Sequence, residues 1–188
     1  MIARRFFARF YMFDLVLIAL MAVLGIATKP VIVPLVRIIT GPLLIPGGAL
    51  AGGLYMMWLV MAAGLVGKPG AATLTAIVQA IVVMATGTFG THGIATLVTY
   101  TVPGIAADVV FLFARRQKYN IGHYFLAGMA ANISGTFLTM LVFFRLPLIP
   151  LLLALSSGAL SGGLGGLIAF SIIKRFEKFK AGGLTGGG

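Results

Sequence analysis

The chain has 188 residues, 60% of them apolar and only 9% charged, with 14 Lys and Arg against 3 Asp and Glu for a net charge of +11. A soluble domain wets its surface with about 25% charged residues, so this composition excludes a soluble globular protein and points to an all-α polytopic membrane protein. With no cysteine, disulfides, thiolate nucleophiles and cysteine metal sites fall away, and the basic excess reads as loops facing anionic lipid instead of a nucleic-acid surface.

A crossing takes about 20 apolar residues, and the sequence predicts six: Phe13–Ala27, Gly47–Gly67, Ala71–Gly87, Ile94–Ala114, Tyr124–Phe144 and Leu148–Ile173. Arg4, Arg5 and Arg9 precede the first, as in a secretory signal. Phe6, Phe7, Tyr11 and Phe13 extend it into an interfacial anchor, and it is read as a retained span. The next segment, Thr28 to Pro46, is expected to be a long outer loop with prolines at 30, 34, 42 and 46, yet it is apolar. A lid, a half-buried connector and a seventh, broken helix all fit it, since irregular backbone at membrane depth must be covered by protein.

The second span opens on GALAGGL (Gly48–Leu54), which GALSGGL (Gly158–Leu164) echoes at the start of the sixth. Such small residues, with Gly158, Gly162 and Gly166 at spacing four, predict close packing of the second and sixth helices. The loop Thr86–Gly93 is uncharged, rich in Gly and Thr, and carries His92. Asp108 falls in the cytoplasmic third of the fourth span and reads as a structural acid answered by Arg115, Arg116 or a neighbouring helix; a substrate role is the other reading. Residues 1–181 form one expected domain, and 182–188 a flexible Gly-rich tail.

Lys and Arg stay on the cytoplasmic side of short loops. With both termini inside, the inner segments hold 3 (Arg4, Arg5, Arg9), 1 (Lys68), 3 (Arg115, Arg116, Lys118) and 4 (Lys174, Arg175, Lys178, Lys180), together 11, and the outer loops only 3 (Lys29, Arg37, Arg145). An even number of spans, N-in and C-in, follows.

Catalytic patterns are missing. Gly64–Pro69 (GLVGKP) has a Lys but neither the spacing nor the hydroxyl of a phosphate-binding loop, so the chain is not expected to hydrolyse ATP. His92 and His123 fall on opposite membrane faces and cannot share a metal. Ser134 lacks a base at its depth. Neither an enzyme, a cofactor nor a metal site is expected, and the lack of acids in the outer half argues against ion-coupled transport.

Polar and aromatic residues instead gather in the middle and outer half: Tyr55, Trp58, Gln79, Thr86, Tyr100, Asn132, Thr136, Ser156 and Ser157, with His92 capping that side. Stacking faces plus a few donors and acceptors suit a small heteroaromatic ligand. Trp58, Gln79, His92, Tyr100 and Asn132 are the candidate contacts; Thr136, Ser156 and Ser157 taken alone read as bridges between helices.

The stretch GLYMMWLVMAAGLVGKPGAA (Gly53–Ala72), followed by GIAADVVFLFAR (Gly104–Arg115), resembles the substrate-binding S components of energy-coupling factor (ECF) transporters, in particular the YkoE type associated with thiamine or its hydroxymethylpyrimidine precursor. The resemblance covers about residues 40 to 120, and the turn Lys68-Pro69-Gly70-Ala71-Ala72 is its most specific piece. It implies a vitamin-binding subunit of the bacterial plasma membrane, energised by a transmembrane coupling protein and two ATPases. It also implies an outer site formed by Tyr100, Asn132, Thr136, Ser157 and the Thr28–Pro46 lid, with His92 nearby. Docking in such proteins uses small residues of the first helix, here Ala19 and Ala22. The positive rim of Lys29, Arg37 and Arg145 tilts the ligand from the thiazolium cation toward a neutral pyrimidine or an anion. A self-sufficient channel or facilitator is the alternative function.

Overall fold

The computed structural model describes residues 10–41, 47–87, 94–114, 119–144 and 147–185. Among them are six helices: α1 Met12–Thr40, α2 Gly47–Val66, α3 Ala71–Thr86, α4 Ile94–Phe113, α5 Ile121–Thr139 with a π-helical turn at Met140–Phe144, and α6 Leu148–Thr185. Five are long and apolar enough to cross a membrane, while α3, with 16 residues, is shorter. At 1.5 Å per residue α3 spans about 24 Å, below the roughly 30 Å of a hydrocarbon core.

The long outer loop after the first helix is not there as far as Thr40. Helix α1 runs through Pro30 and Pro34 to Thr40, because in lipid a helix is the backbone form that satisfies its own polar groups, and a neighbouring helix can absorb the missing proline donors. Thr28 Oγ1 donates to the Leu24 carbonyl at 2.7 Å in the turn before Pro30. Residues 42–46 lie outside the described set. Helix α6 likewise outruns its expected end and enters the presumed tail as far as Thr185; 186–188 are outside the described residues.

Helix α2 is the centre of the bundle and touches all five others. Its small residues make this possible. A Cβ on Gly53 would strike the Ser161 carbonyl, and one on Gly165 the Gly53 carbonyl. Ser161 Oγ in turn accepts from Gly53 N–H at 3.0 Å and donates to the Leu50 carbonyl. The two echoing segments therefore do meet. The row at spacing four does not face α2, however: Gly162 and Gly166 sit against Gly128 and the Tyr124 carbonyl of α5. One helix uses adjacent glycine rows to approach two partners.

At the end of the bundle that carries Lys68, the turn between α2 and α3 places Gly67 and Gly70 at positive φ (59° and 92°), which glycine adopts without steric cost. Lys68 Nζ pairs with Asp14 on α1 and lies 3.9 Å from the Tyr11 ring centroid. Asp108 of α4 reaches across to the start of α3. It accepts from Thr73 N–H at 2.7 Å, Thr73 Oγ1 at 2.6 Å and Ala72 N–H at 3.3 Å. A carboxylate at a helix N-terminus satisfies orphan amides and the helix dipole. The neighbouring helix, not an arginine, supplies these bonds. His123 caps its own helix, exchanging hydrogen bonds with Asn120 at 3.1 and 3.2 Å.

Candidate functional site

The other end of the bundle opens into a cavity of about 580 Å³. Helix α1 contributes Lys29, Arg37 and Thr40, α2 Gly48, Tyr55, Met56 and Leu59, α3 Gln79, α4 Thr99 and Tyr100, and α5 Thr136, Thr139 and Met140. Glycines at 47, 48 and 135 leave room at its wall. A Cβ on Gly47 would lie 2.6 Å from Arg37 Cγ, so the arginine passes over the start of α2 only because that position is bare. The π-helical turn after Thr139 sets Met140 against the same hollow; such turns recur at functional sites.

Lys29 is one of two cations in the wall, with Arg37. Its Nζ stands 3.8 Å from the centroid of the Tyr100 ring and 4.6 Å from that of Tyr55. Tyr55 is itself fixed by donating to the Gly48 carbonyl at 2.8 Å. No acid lines the cavity. The chain's three acids are Asp14, Asp108 and Glu177, and all lie toward the opposite end, with Lys68, the start of α3 and Lys174 respectively. Two groups of the wall residues, Thr40 Oγ1 and Gln79 Nε2, are buried with no hydrogen-bond partner among the described residues.

Of the residues singled out in the sequence, Tyr55, Gln79, Tyr100 and Thr136 line the cavity. Trp58 does not; its Nε1 donates to Thr28 Oγ1 at 2.9 Å and ties α2 to α1. Asn132 is fully buried, and its Nδ2 donates to the Ala49 and Gly158 carbonyls at 2.9 and 2.7 Å. It clamps α2, α5 and α6 together. Ser157 donates to the Ala154 carbonyl of its own helix at 3.1 Å. His92 lies outside the described residues. Of the two alanines expected to dock a partner, Ala22 is 0% exposed inside the bundle while Ala19 faces outward, so they share no open face.

Sequence reasoning missed Lys29, Arg37 and Thr40 as wall residues because their segment read as a loop. A signal was present: Ile18, Ala22 and Gly25 are the buried face of α1, and continuing that 3.6-residue spacing brings Lys29 onto the same face.

The sequence model of a family described as "ABC-type cobalt transport system, permease component" matches residues 13–134. Among solved structures, one described as an S-component of an ECF transporter matches with a TM-score of 0.66 at 23% identity, over 94% of this chain and 97% of that one. That likeness shows a shared fold. No curated protein matches.

Proposed function

This chain belongs to the family of ABC-type cobalt transport system permease components, and we propose that within it the chain is the membrane-embedded substrate-binding subunit of an ECF-type importer. The family is one of transporters and not of enzymes, and the chain is a multi-pass protein of the bacterial plasma membrane. The observation that carries the proposal is the cavity at one end of a bundle whose fold is that of an S-component. The described basic residues orient it: Lys68, Lys174, Arg175 and Lys178 lie at the end away from the cavity and only Lys29 and Arg37 at its wall, so by the positive-inside rule the Lys68 end is cytoplasmic and the cavity opens outward. Six crossings with both ends inside complete this topology. Energy comes from partner chains, a transmembrane coupling protein and two ATPases, since no nucleotide loop is present in the sequence.

The ligand is a vitamin or precursor of the thiamine or hydroxymethylpyrimidine type. Aromatic faces and a few polar groups in an apolar wall suit a small ring. A bare cobalt ion is a poorer fit, because no group of three metal-ligating His, Cys, Asp or Glu occurs among the described residues and the wall carries two cations. Titration calorimetry of the detergent-purified chain tests the reading. Micromolar or tighter binding of the pyrimidine or of thiamine supports it. Solute flux through liposomes containing this chain alone, without such binding, would replace it with a facilitator.

A further inference from the structure

We propose that Lys29 selects the ligand by charge: the cavity takes a flat ring bearing an anionic group, phosphate or carboxylate, and turns away cations. This rests on the substrate-binding reading above. Three observations converge on it.

The first is that, among the described residues, Lys29 Nζ is answered by two tyrosine rings in a mostly apolar hollow, at 3.8 and 4.6 Å from their centroids, and by no opposite charge. Ring faces offset part of the cost of burying an ammonium, but a cation at membrane depth is ordinarily paired with an opposite charge. The second is that no acid of this chain can be that partner. All three are engaged toward the far end, and Arg37 adds a second cation to the same wall. Two like charges in a low-dielectric hollow repel a cationic ligand and attract an anionic one. The third is that, among the described residues, Thr40 Oγ1 in that wall has no hydrogen-bond partner, and neither has Gln79 Nε2, which lies against Gly25 of α1 behind it. A hydroxyl free to donate suits a ligand rich in acceptor oxygens, and the amide nitrogen can only donate. The missing counter-charge is supplied by the ligand.

The experiment is calorimetry on the detergent-purified full chain, with Lys29→Met and Lys29→Arg beside the unaltered protein. The probes are 4-amino-5-hydroxymethyl-2-methylpyrimidine, its phosphate monoester, a pyrimidine carboxylate and thiamine. The unaltered chain should bind the ester about tenfold or more tighter than the alcohol, as a charge-assisted contact predicts, and thiamine weakest. Lys29→Met should bring the ester-to-alcohol ratio to about one and improve thiamine binding by about tenfold; Lys29→Arg should keep the preference for the ester. If Lys29→Met does not fold, the rank order of the unaltered chain decides.

Thiamine bound as tightly as the ester, or a ratio that survives in folded Lys29→Met, overturns the charge selection and leaves the substrate reading standing. A folded chain that binds none of the probes overturns both.

Discussion

At the Lys68 end of the bundle each acid of the chain has something to answer it: Asp14 a lysine, Glu177 a lysine at 3.0 Å, and Asp108 the open amides of α3. At the Lys29 end two cations share a cavity with no acid, and a hydroxyl and an amide nitrogen stand without partners. For the buried Asp14 and Asp108 the first arrangement is what stability asks of charges in a low-dielectric setting, where an unanswered one costs several kcal/mol. The second leaves interactions unmade. Sites that bind are commonly built from groups the fold itself has not satisfied, so the contrast separates the part of the molecule that holds it together from the part that waits for a ligand.

The largest effects should come where helices touch backbone to backbone, away from either end. At Gly162 a Cβ would strike the Gly128 carbonyl and sit 2.7 Å from Asn132 Cβ. Gly162→Leu should therefore cost more than about 4 kcal/mol, read as loss of a monodisperse peak on size exclusion. Next is Asp108→Ala, which strips the cap from α3 and leaves its amides without acceptors. A loss of about 3 kcal/mol is expected, against about 1 kcal/mol for Asp108→Asn, which keeps an acceptor oxygen. Chemical denaturation in detergent separates the two. Equal losses would mean that the negative charge, not the cap geometry, is what α3 requires.

Lys68→Met should cost about 2 kcal/mol, because Asp14, with side-chain exposure of only 12%, loses the cation that answers its charge while keeping the Tyr11 amide. Thermal unfolding would show it. Trp58→Phe should cost about 1 kcal/mol, the worth of one hydrogen bond to Thr28, with affinity for a cavity ligand unchanged. A tenfold loss of affinity in Trp58→Phe would return that residue to the site.

What was legible in the sequence follows the physics of each signal. All six helices start within a few residues of their hydropathy limits and four also stop there, α1 and α6 running on, since apolar runs bounded by glycine, charge or polar loops report a bilayer directly. The glycine echo also reported a real contact. What failed was the proline rule at Pro30 and Pro34, which is sound in water but weaker in a bundle in lipid. That single misreading removed Lys29 and Arg37 from the interior and left them on a rim. Depth alone then could not tell Gln79 and Tyr100, which line the cavity, from Trp58 and Asn132, which are spent on bonds between helices. Composition gives the depth of a polar residue; whether it faces a neighbour or a hollow is decided by helix rotation.

The smallest expected change in stability sharpens the comparison most. Lys29→Met removes a charge of the same sign as Lys68→Met and keeps a similar apolar stem, at the same kind of position beside tyrosine rings. Removing a cation whose partners among the described residues are ring faces gives up their attraction, about 1 to 2 kcal/mol when desolvated, and recovers the cost of burying the ammonium. These offset one another. The unliganded variant should therefore unfold at the same temperature as the unaltered chain or slightly above it, whereas Lys68→Met falls. If both variants lose stability equally, the Lys29 end is as fully satisfied as the other, and its cations belong to the scaffold and not to recognition.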